Sequence, residues 1–458
     1  MLAYRALQTL LGLCLRVFFR RIEVVGLENI AAEGDRALIF AGNHPNSLID
    51  PALILATSGR IVHFAAKDVL FKNPALRLVM RILGAVPVAR RSDHSGGDVD
   101  NQAAFQQLSL VLAGGRAMGI FPEGLSHDQA HIARLKTGAA RIALDVAHRH
   151  DQPLDIVPCG LTYLNPKRFR SSVLLQYGTP ITVGTADADA FAADERATVN
   201  ELTARIDAGL KELTVNGTDW ETVRVLDGVR RLYQPDGISL WHRVELARRF
   251  NALFATVRDR PDVAALYQRV HAYLQGLDDL GLTDRDLRRA HGWRPLLWRA
   301  LLHAATLLLW MPLAAPGLVV QGPVALCVRW AGVRVTPRRD VIATTHLVLG
   351  LALHGLLYAA VVALSWWQLG LGAGLTALIL LPISAYAALR SVEGGLAGRR
   401  VLRVCVRMAR LRREIEALRR ERGELQDAVL TTVHAVIPDS LEPLFSRPLP
   451  MHAAVEVS

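Results

Sequence analysis

Between Arg294 and Arg390 the chain carries one acidic residue, Asp340. So long a stretch without carboxylates is not an ordinary solvated surface, and it marks a membrane region following a charged, globular one. Cysteine is scarce too. Cys14, Cys159, Cys327 and Cys405 stand far apart and form no Cys-x-x-Cys pair. That excludes a cysteine-paired metal site, makes a disulfide framework unexpected, and suits a reducing compartment. Leu2 to Phe19 lacks an uninterrupted apolar core and an Ala-x-Ala-like cleavage site, so no cleaved signal peptide is expected. No nucleic-acid-binding fingerprint is present, and no nucleic-acid partner is expected.

What is present is basic charge beside apolar sequence. The net charge is +11 over 458 residues, of which 51% are hydrophobic. Arginine runs flanking apolar segments point to membrane lipids as partners. Leu7, Leu10, Leu11, Cys14, Val17 and Phe18 give residues 1–21 a helical apolar face. It fits a helix lying on a membrane, or one packed on the protein's own domain.

Residues 22–184 alternate short apolar runs with helical patterns. Strands are expected at Ile22 to Val25, Ala37 to Phe40, Val62 to Ala65, Ala85 to Val88, Ala117 to Phe121 and Ile156 to Tyr163. Helices are expected at Leu76 to Ile82, Val99 to Gly114 and Lys136 to His148. This alternation predicts an α/β domain with a mainly parallel sheet. Residues 185–295 read as a helical extension, with helices at Val199 to Val215 and Leu240 to Val257.

Residues 296–390 read as the membrane region. Pro312, Pro316 and Pro323 break residues 300–332 into halves shorter than the roughly 20 residues that a crossing requires. A re-entrant or interfacial hairpin turning near Ala314 to Gly317 is expected there. Residues 341–366 and 371–389 are long enough to span. Arginines lie before the first span and after the second, and the link Gln368-Leu369-Gly370 is uncharged. The positive-inside rule then puts both ends of this pair in the cytoplasm. Residues 391–458 hold a basic helical pattern over 399–426, either solvated or touching anionic headgroups, and then a tail. Ala-, Arg- and Gly-rich usage suggests a bacterial source, and so an inner-membrane protein with its catalytic domain facing the cytoplasm.

Two segments carry ionisable residues directly after an expected strand. One runs from Asn43-His44-Pro45 to Asp50-Pro51; the other is Phe121-Pro122-Glu123-Gly124-Leu125-Ser126-His127-Asp128. Strand ends that open into loops commonly hold chemistry. His44 can act as a general base, with Asp50 fixing its tautomer. Their spacing of six puts them on different faces of a helix, so they must meet across a bent turn. Taken alone, the pair also fits a helix cap. Gly124 lets backbone N–H groups approach an anion, and Lys67 and Lys136 are further candidate phosphate ligands. His127 and His131, with Asp128 and His44, form an alternative metal-type grouping without a His-Glu-x-x-His core. Cys159 is an alternative nucleophile with no base adjacent in sequence.

His44 with Asp50, then Gly84-x-Val86-x-Val88-x-Arg90, then Phe121-Pro122-Glu123-Gly124-x-Ser126, then Val157-Pro158 resemble the four ordered blocks of the phospholipid/glycerol acyltransferase superfamily. Five residues separate His44 from Asp50, where four are usual. That departure, with Ser126-His127-Asp128 and Val157-Pro158-Cys159-Gly160, is similar to the fungal-type glycerol-3-phosphate/dihydroxyacetone-phosphate acyltransferases. The resemblance implies transfer of a fatty acyl group from acyl-CoA or acyl carrier protein to a glycerophosphate hydroxyl. It implies His44 and Asp50 as catalytic residues, and Arg90, Glu123, Gly124 and Ser126 as acceptor-binding residues. No metal and no cofactor beyond the donor substrate is implied. A 1-acyl-glycerol-3-phosphate acceptor and a catalytically inactive membrane scaffold are the alternatives.

Overall fold

Six consecutive buried residues, Ala37–Gly42, form a central strand in the computed structural model. The structure describes residues 1–89, 101–235, 237–289, 293–336, 338–436 and 455–456. In chain order the strands are β1 (Arg21–Val25), β2 (Ala37–Gly42), β3 (Val62–Lys67), β4 (Val86–Val88), β5 (Ala117–Ile120), β6 (Leu154–Tyr163), β7 (Ser172–Tyr177), β8 (Ile181–Val183) and β9 (Val455–Glu456). The helices of the sheet layer are α1 (Leu2–Phe18), α2 (Ile49–Thr57), α3 (Pro74–Ile82), α4 (Gln102–Ala113), α5 (Gly138–His150), α6 (Thr185–Ala193) and α7 (Glu195–Leu213). Then follow α8 (Trp220–Tyr233), α9 (Leu240–Val257), α10 (Pro261–Asp279), α11 (Asp284–Arg289), α12 (Trp293–Arg334), α13 (Ile342–Leu369), α14 (Leu371–Arg410) and α15 (Arg412–Val436).

The sheet order is β4-β3-β5-β2-β6-β7-β1-β9, with β8 also on β6. β4, β3, β5, β2 and β6 run parallel, so their carboxyl ends meet at one edge. Side-chain alternation on β2 explains the layers. Leu38 and Phe40 join a core with α1 and α2, while Ala37, Ile39 and Ala41 join one with α4, α5 and α7. Strands covered on both faces read as unbroken apolar runs, which is why β2 and β5 were visible in the sequence.

Some expected boundaries move. β7 was not foreseen. α6 and α7 belong to the sheet layer, because Ala188, Val199, Leu202, Ile206 and Leu210 pack into its core. α15, expected as a separate basic helix, closes a bundle with α8 and α10 through Ile415, Leu425 and Val429. α1 packs one side inward through Tyr4, Leu15 and Phe18 and exposes Leu2, Leu10, Leu13 and Val17 on the other.

Among the described residues, three helices are long and apolar enough to cross a membrane: α12, α13 and α14. The hairpin expected within 300–332 is absent. α12 continues through Pro312, Pro316 and Pro323. Each proline costs one backbone hydrogen bond, but α14 packs along α12 and supports it from the side, with Gly317 against the Ser384 backbone and Gly395 against Leu307.

The sheet and the helical bundle are joined by a buried carboxylate. Glu23 on β1 accepts from the Leu240 and Trp241 N–H groups at the start of α9, at 3.3 and 3.0 Å, and pairs with Arg21. Glu23→Ala strands two helix-terminal donors, and a loss of about 1–3 kcal/mol is expected. Thermal unfolding should show a lowered midpoint; an unchanged one would mean that the junction does not depend on this carboxylate.

Candidate active site

The loop after β2 delivers His44 and Asp50 to the carboxyl edge of the sheet. Asn43 fixes its start by exchanging hydrogen bonds with the Leu161 backbone, 3.1 and 2.7 Å. Ser47 adopts a left-handed φ of 48°, which bends the chain back. Asp50, in the first turn of α2, then meets His44 Nδ1 at 2.8 Å. The Asp50 side chain is fully buried and has three donors: the imidazole, the Asn46 N–H at 2.7 Å and the Tyr163 hydroxyl at 2.5 Å. Burial pushes its carboxyl above the ordinary value, and these donors pull it back. Tyr163 is held as the neutral phenol by burial and by the neighbouring carboxylate. Nε2 of His44 has no partner among the described residues. Its ring stacks on Phe121, with centroids 4.1 Å apart and planes within 11°.

The second loop is tied to the first through Glu123. Oε1 accepts the His44 backbone N–H at 2.8 Å. Oε2 accepts the Ala133 N–H at 2.7 Å and pairs with His127. The His127 N–H in turn donates to the His44 carbonyl. Glu123 was expected to receive acceptor hydroxyls. It is buried, and in this structure both its oxygens accept from protein donors and tie the two loops together. Its hydrogen bond raises the His127 pKa against the opposing effect of burial.

Ser126 was also expected to face the acceptor. It is buried instead, donating to Asp340 at 2.5 Å, while Arg338 donates to its carbonyl and hydroxyl at 2.8 and 3.1 Å. The residues 338–340 come from the link between α12 and α13. Gly124 has φ of 76°, and the Lys136 side chain lies over it, 2.6 Å from where a Cβ would stand. An alanine would meet both strain and that side chain, so the Lys136 side chain depends on glycine at 124 for its place. Lys67 ends β3, opposite Val88 of β4. Arg90 lies outside the described residues.

The other candidates do different work. His127 faces Glu123 and Asp128 pairs with Lys167 at 2.6 Å, and no metal-type cluster forms among the described residues. Cys159 is buried, its thiol pushed well up by desolvation, so it is not a reactive thiolate. Tyr163, Asn46 and the pair Arg338–Asp340 were missed by sequence reasoning. Asp340 carried one signal, as the lone acid of an apolar region.

Residues 21–162 match the family model described as Acyltransferase. Residues 225–441 match the Glycerol-3-phosphate acyltransferase 2 C-terminal domain. Two relatives from Saccharomyces cerevisiae are glycerol-3-phosphate O-acyltransferase 1, 31% identical over 278 residues, and glycerol-3-phosphate O-acyltransferase 2, 35% identical over 192. These alignments take in 57% and 41% of this chain, and 37% and 26% of the yeast proteins' own length. A crystal structure of the 1-acyl-sn-glycerophosphate acyltransferase from Thermotoga maritima aligns at TM-score 0.33 and 22% identity, over 45% of this chain and 81% of that one. The yeast relatives lend nothing to the bacterial inner membrane suggested by composition.

Two tests follow from the site. Tyr163→Phe removes one donor from Asp50, so the carboxylate protonates at higher pH. Activity should fall roughly tenfold, about 1.4 kcal/mol, and the acid limb of its pH profile should move upward; an unmoved limb would detach Tyr163 from Asp50. The His127–Glu123 pair stabilises fully below the ordinary imidazole value of 6.5 and loses this contribution as pH rises through the higher folded value. His127→Gln keeps a neutral donor and should flatten the alkaline fall of the unfolding midpoint; an equally steep fall in the variant argues against the pair.

Residues 21–162 thus match the acyltransferase family model, residues 225–441 match the glycerol-3-phosphate acyltransferase 2 C-terminal domain, and the chain resembles the fungal-type glycerol-3-phosphate/dihydroxyacetone-phosphate acyltransferases.

Proposed function

We propose that this protein is a membrane-associated O-acyltransferase that moves a fatty acyl group from acyl-CoA or acyl carrier protein to a hydroxyl of glycerol-3-phosphate or a related glycerophosphate. The observation that carries this reading is the His44–Asp50 contact of 2.8 Å at the carboxyl edge of the sheet, with Nε2 left for substrate.

An alcohol is a weak nucleophile near neutral pH, because its proton leaves far above neutrality. Nε2 of His44 takes that proton as the oxygen adds to the thioester carbonyl. Asp50 steadies the imidazolium that results. Collapse of the tetrahedral adduct breaks the carbon–sulfur bond, and the imidazolium returns its proton to the departing thiolate. Lys136 over Gly124 and, from β3, Lys67 supply positive charge for the acceptor phosphate; Arg90 joins them by resemblance. The arginines flanking α13 and α14 favour a catalytic layer on the cytoplasmic side.

Purified full-length protein should be given labelled palmitoyl-CoA with glycerol-3-phosphate, dihydroxyacetone phosphate or 1-acyl-glycerol-3-phosphate. Label is expected in the 1-acyl product of one of the first two. Label only in phosphatidate would assign the second acylation instead. His44→Ala should lower turnover by roughly a hundred- to ten-thousand-fold while the chain stays folded by circular dichroism. If no acceptor is labelled with either palmitoyl-CoA or palmitoyl-acyl carrier protein, the inactive-scaffold reading replaces this one.

A further inference from the structure

α12 is long enough to cross a bilayer, yet its two ends contact the same folded mass. Near its start, Leu296 is buried in the bundle core with residues of α8, α10 and α15. Just past its end, Arg338 and Asp340 bond Ser126 in the catalytic loop. Bundle and sheet are one body, joined by Glu23 at the start of α9 and by Leu240 and Val244 against Leu174 of β7. A helix of 42 residues is roughly 60 Å long, about twice the hydrocarbon thickness. A crossing would set these two contacts on opposite sides of the membrane.

The packing along α12 agrees. Its carboxyl half lies against α13, with Gly332 on His346 and Gly350 of α13 on Val328. Its amino half lies against α14, with Gly395 on Leu307 and Gly398 on His303. The three helices meet at Gln321, which donates to the Leu381 carbonyl at 2.9 Å and accepts from the Tyr358 hydroxyl. α13 and α14 therefore share the length of α12 between them, and their connecting turn at Gly370 lies beyond this meeting point.

The outer surface has the chemistry of a membrane interface. α12 exposes Trp298, Leu301, Leu302, Leu308 and Leu309. Beside it, α14 exposes Val392, Leu396 and Val406 on the same stripe as Arg399, Arg403 and Arg410. Interleaved apolar and cationic residues suit a helix whose side chains enter the acyl boundary while its arginines reach anionic headgroups. The opposite side of α14, with Val401, Val404 and Met408, is covered by the bundle.

We propose that α12 and the carboxyl half of α14 lie along one face of the membrane as a lipid-binding platform beneath the catalytic and helical layers, and that only the α13–α14 hairpin enters the bilayer. Its occupant is an anionic lipid surface.

The test is one of sidedness and does not depend on acyl transfer, so its failure is distinguishable from failure of the proposed activity. Cys14, Cys327 and Cys405 are changed to Ser in the full chain. Asp259→Cys, between α9 and α10, and Val335→Cys, beyond the end of α12, are then introduced separately and labelled with a membrane-impermeant maleimide in sealed vesicles. Both are expected to label from the same side. Labelling from opposite sides overturns the proposal, and Arg339→Cys serves if Val335→Cys fails to fold. In nanodiscs, amide exchange over residues 390–410 should slow several-fold when phosphatidylglycerol is added to phosphatidylcholine. The triple variant Arg399→Gln, Arg403→Gln, Arg410→Gln should lose that slowing. Equal exchange of the wild-type chain in the two lipids overturns the anionic-surface assignment.

Discussion

A buried carboxylate is tolerable only when donors surround it, and Glu123 organises the site by meeting that demand. Its donors come from three places in the chain: the His44 backbone, the His127 ring and the Ala133 backbone. None can move far without leaving the carboxylate incompletely paired, a cost of several kcal/mol in a dry interior. The loop after β2 and the loop after β5 are thereby held in one mutual arrangement before any substrate arrives. Asp50 repeats the principle one layer deeper, gathering His44, Asn46 and Tyr163. Two buried acids thus fix the His44 imidazole, one through its ring and the other through its main chain.

The same loop carries the link to the membrane region. Ser126 lies three residues beyond Glu123, and its bonds to Arg338 and Asp340 tie the catalytic edge to the start of α13. Arg170 adds a second tie, pairing with Glu393 of α14 at 2.9 Å. The candidate site and the long apolar helices are therefore coupled through a handful of charged side chains. This also accounts for Asp340: the single acid of an apolar stretch serves the loop after β5 and is shielded with it.

The sheet was legible because each buried strand is a short apolar run, and because residues at strand ends have few reasons to be both ionisable and clustered. His44 and Asp50 were legible because the bend that joins them is local. Tyr163 was not, since its contact with Asp50 joins residues 113 apart and depends on β6 lying beside β2. Glu123 was legible as a residue, but its protein partners arise only when two loops close on each other. His127 sat at a metal-like spacing from His131 while its partner was Glu123, four residues earlier. The prolines of α12 argued locally for a turn, but α14 packed alongside keeps the helix whole, and no local pattern reports a neighbour some 80 residues away.

The stacking of His44 on Phe121, itself stacked on Phe64, restricts how the imidazole can turn. A ring pressed flat against an aromatic face cannot spin about its Cβ–Cγ bond without lifting off it. Nδ1 and Nε2 therefore cannot exchange places, and which nitrogen stays open is chosen at folding rather than at binding.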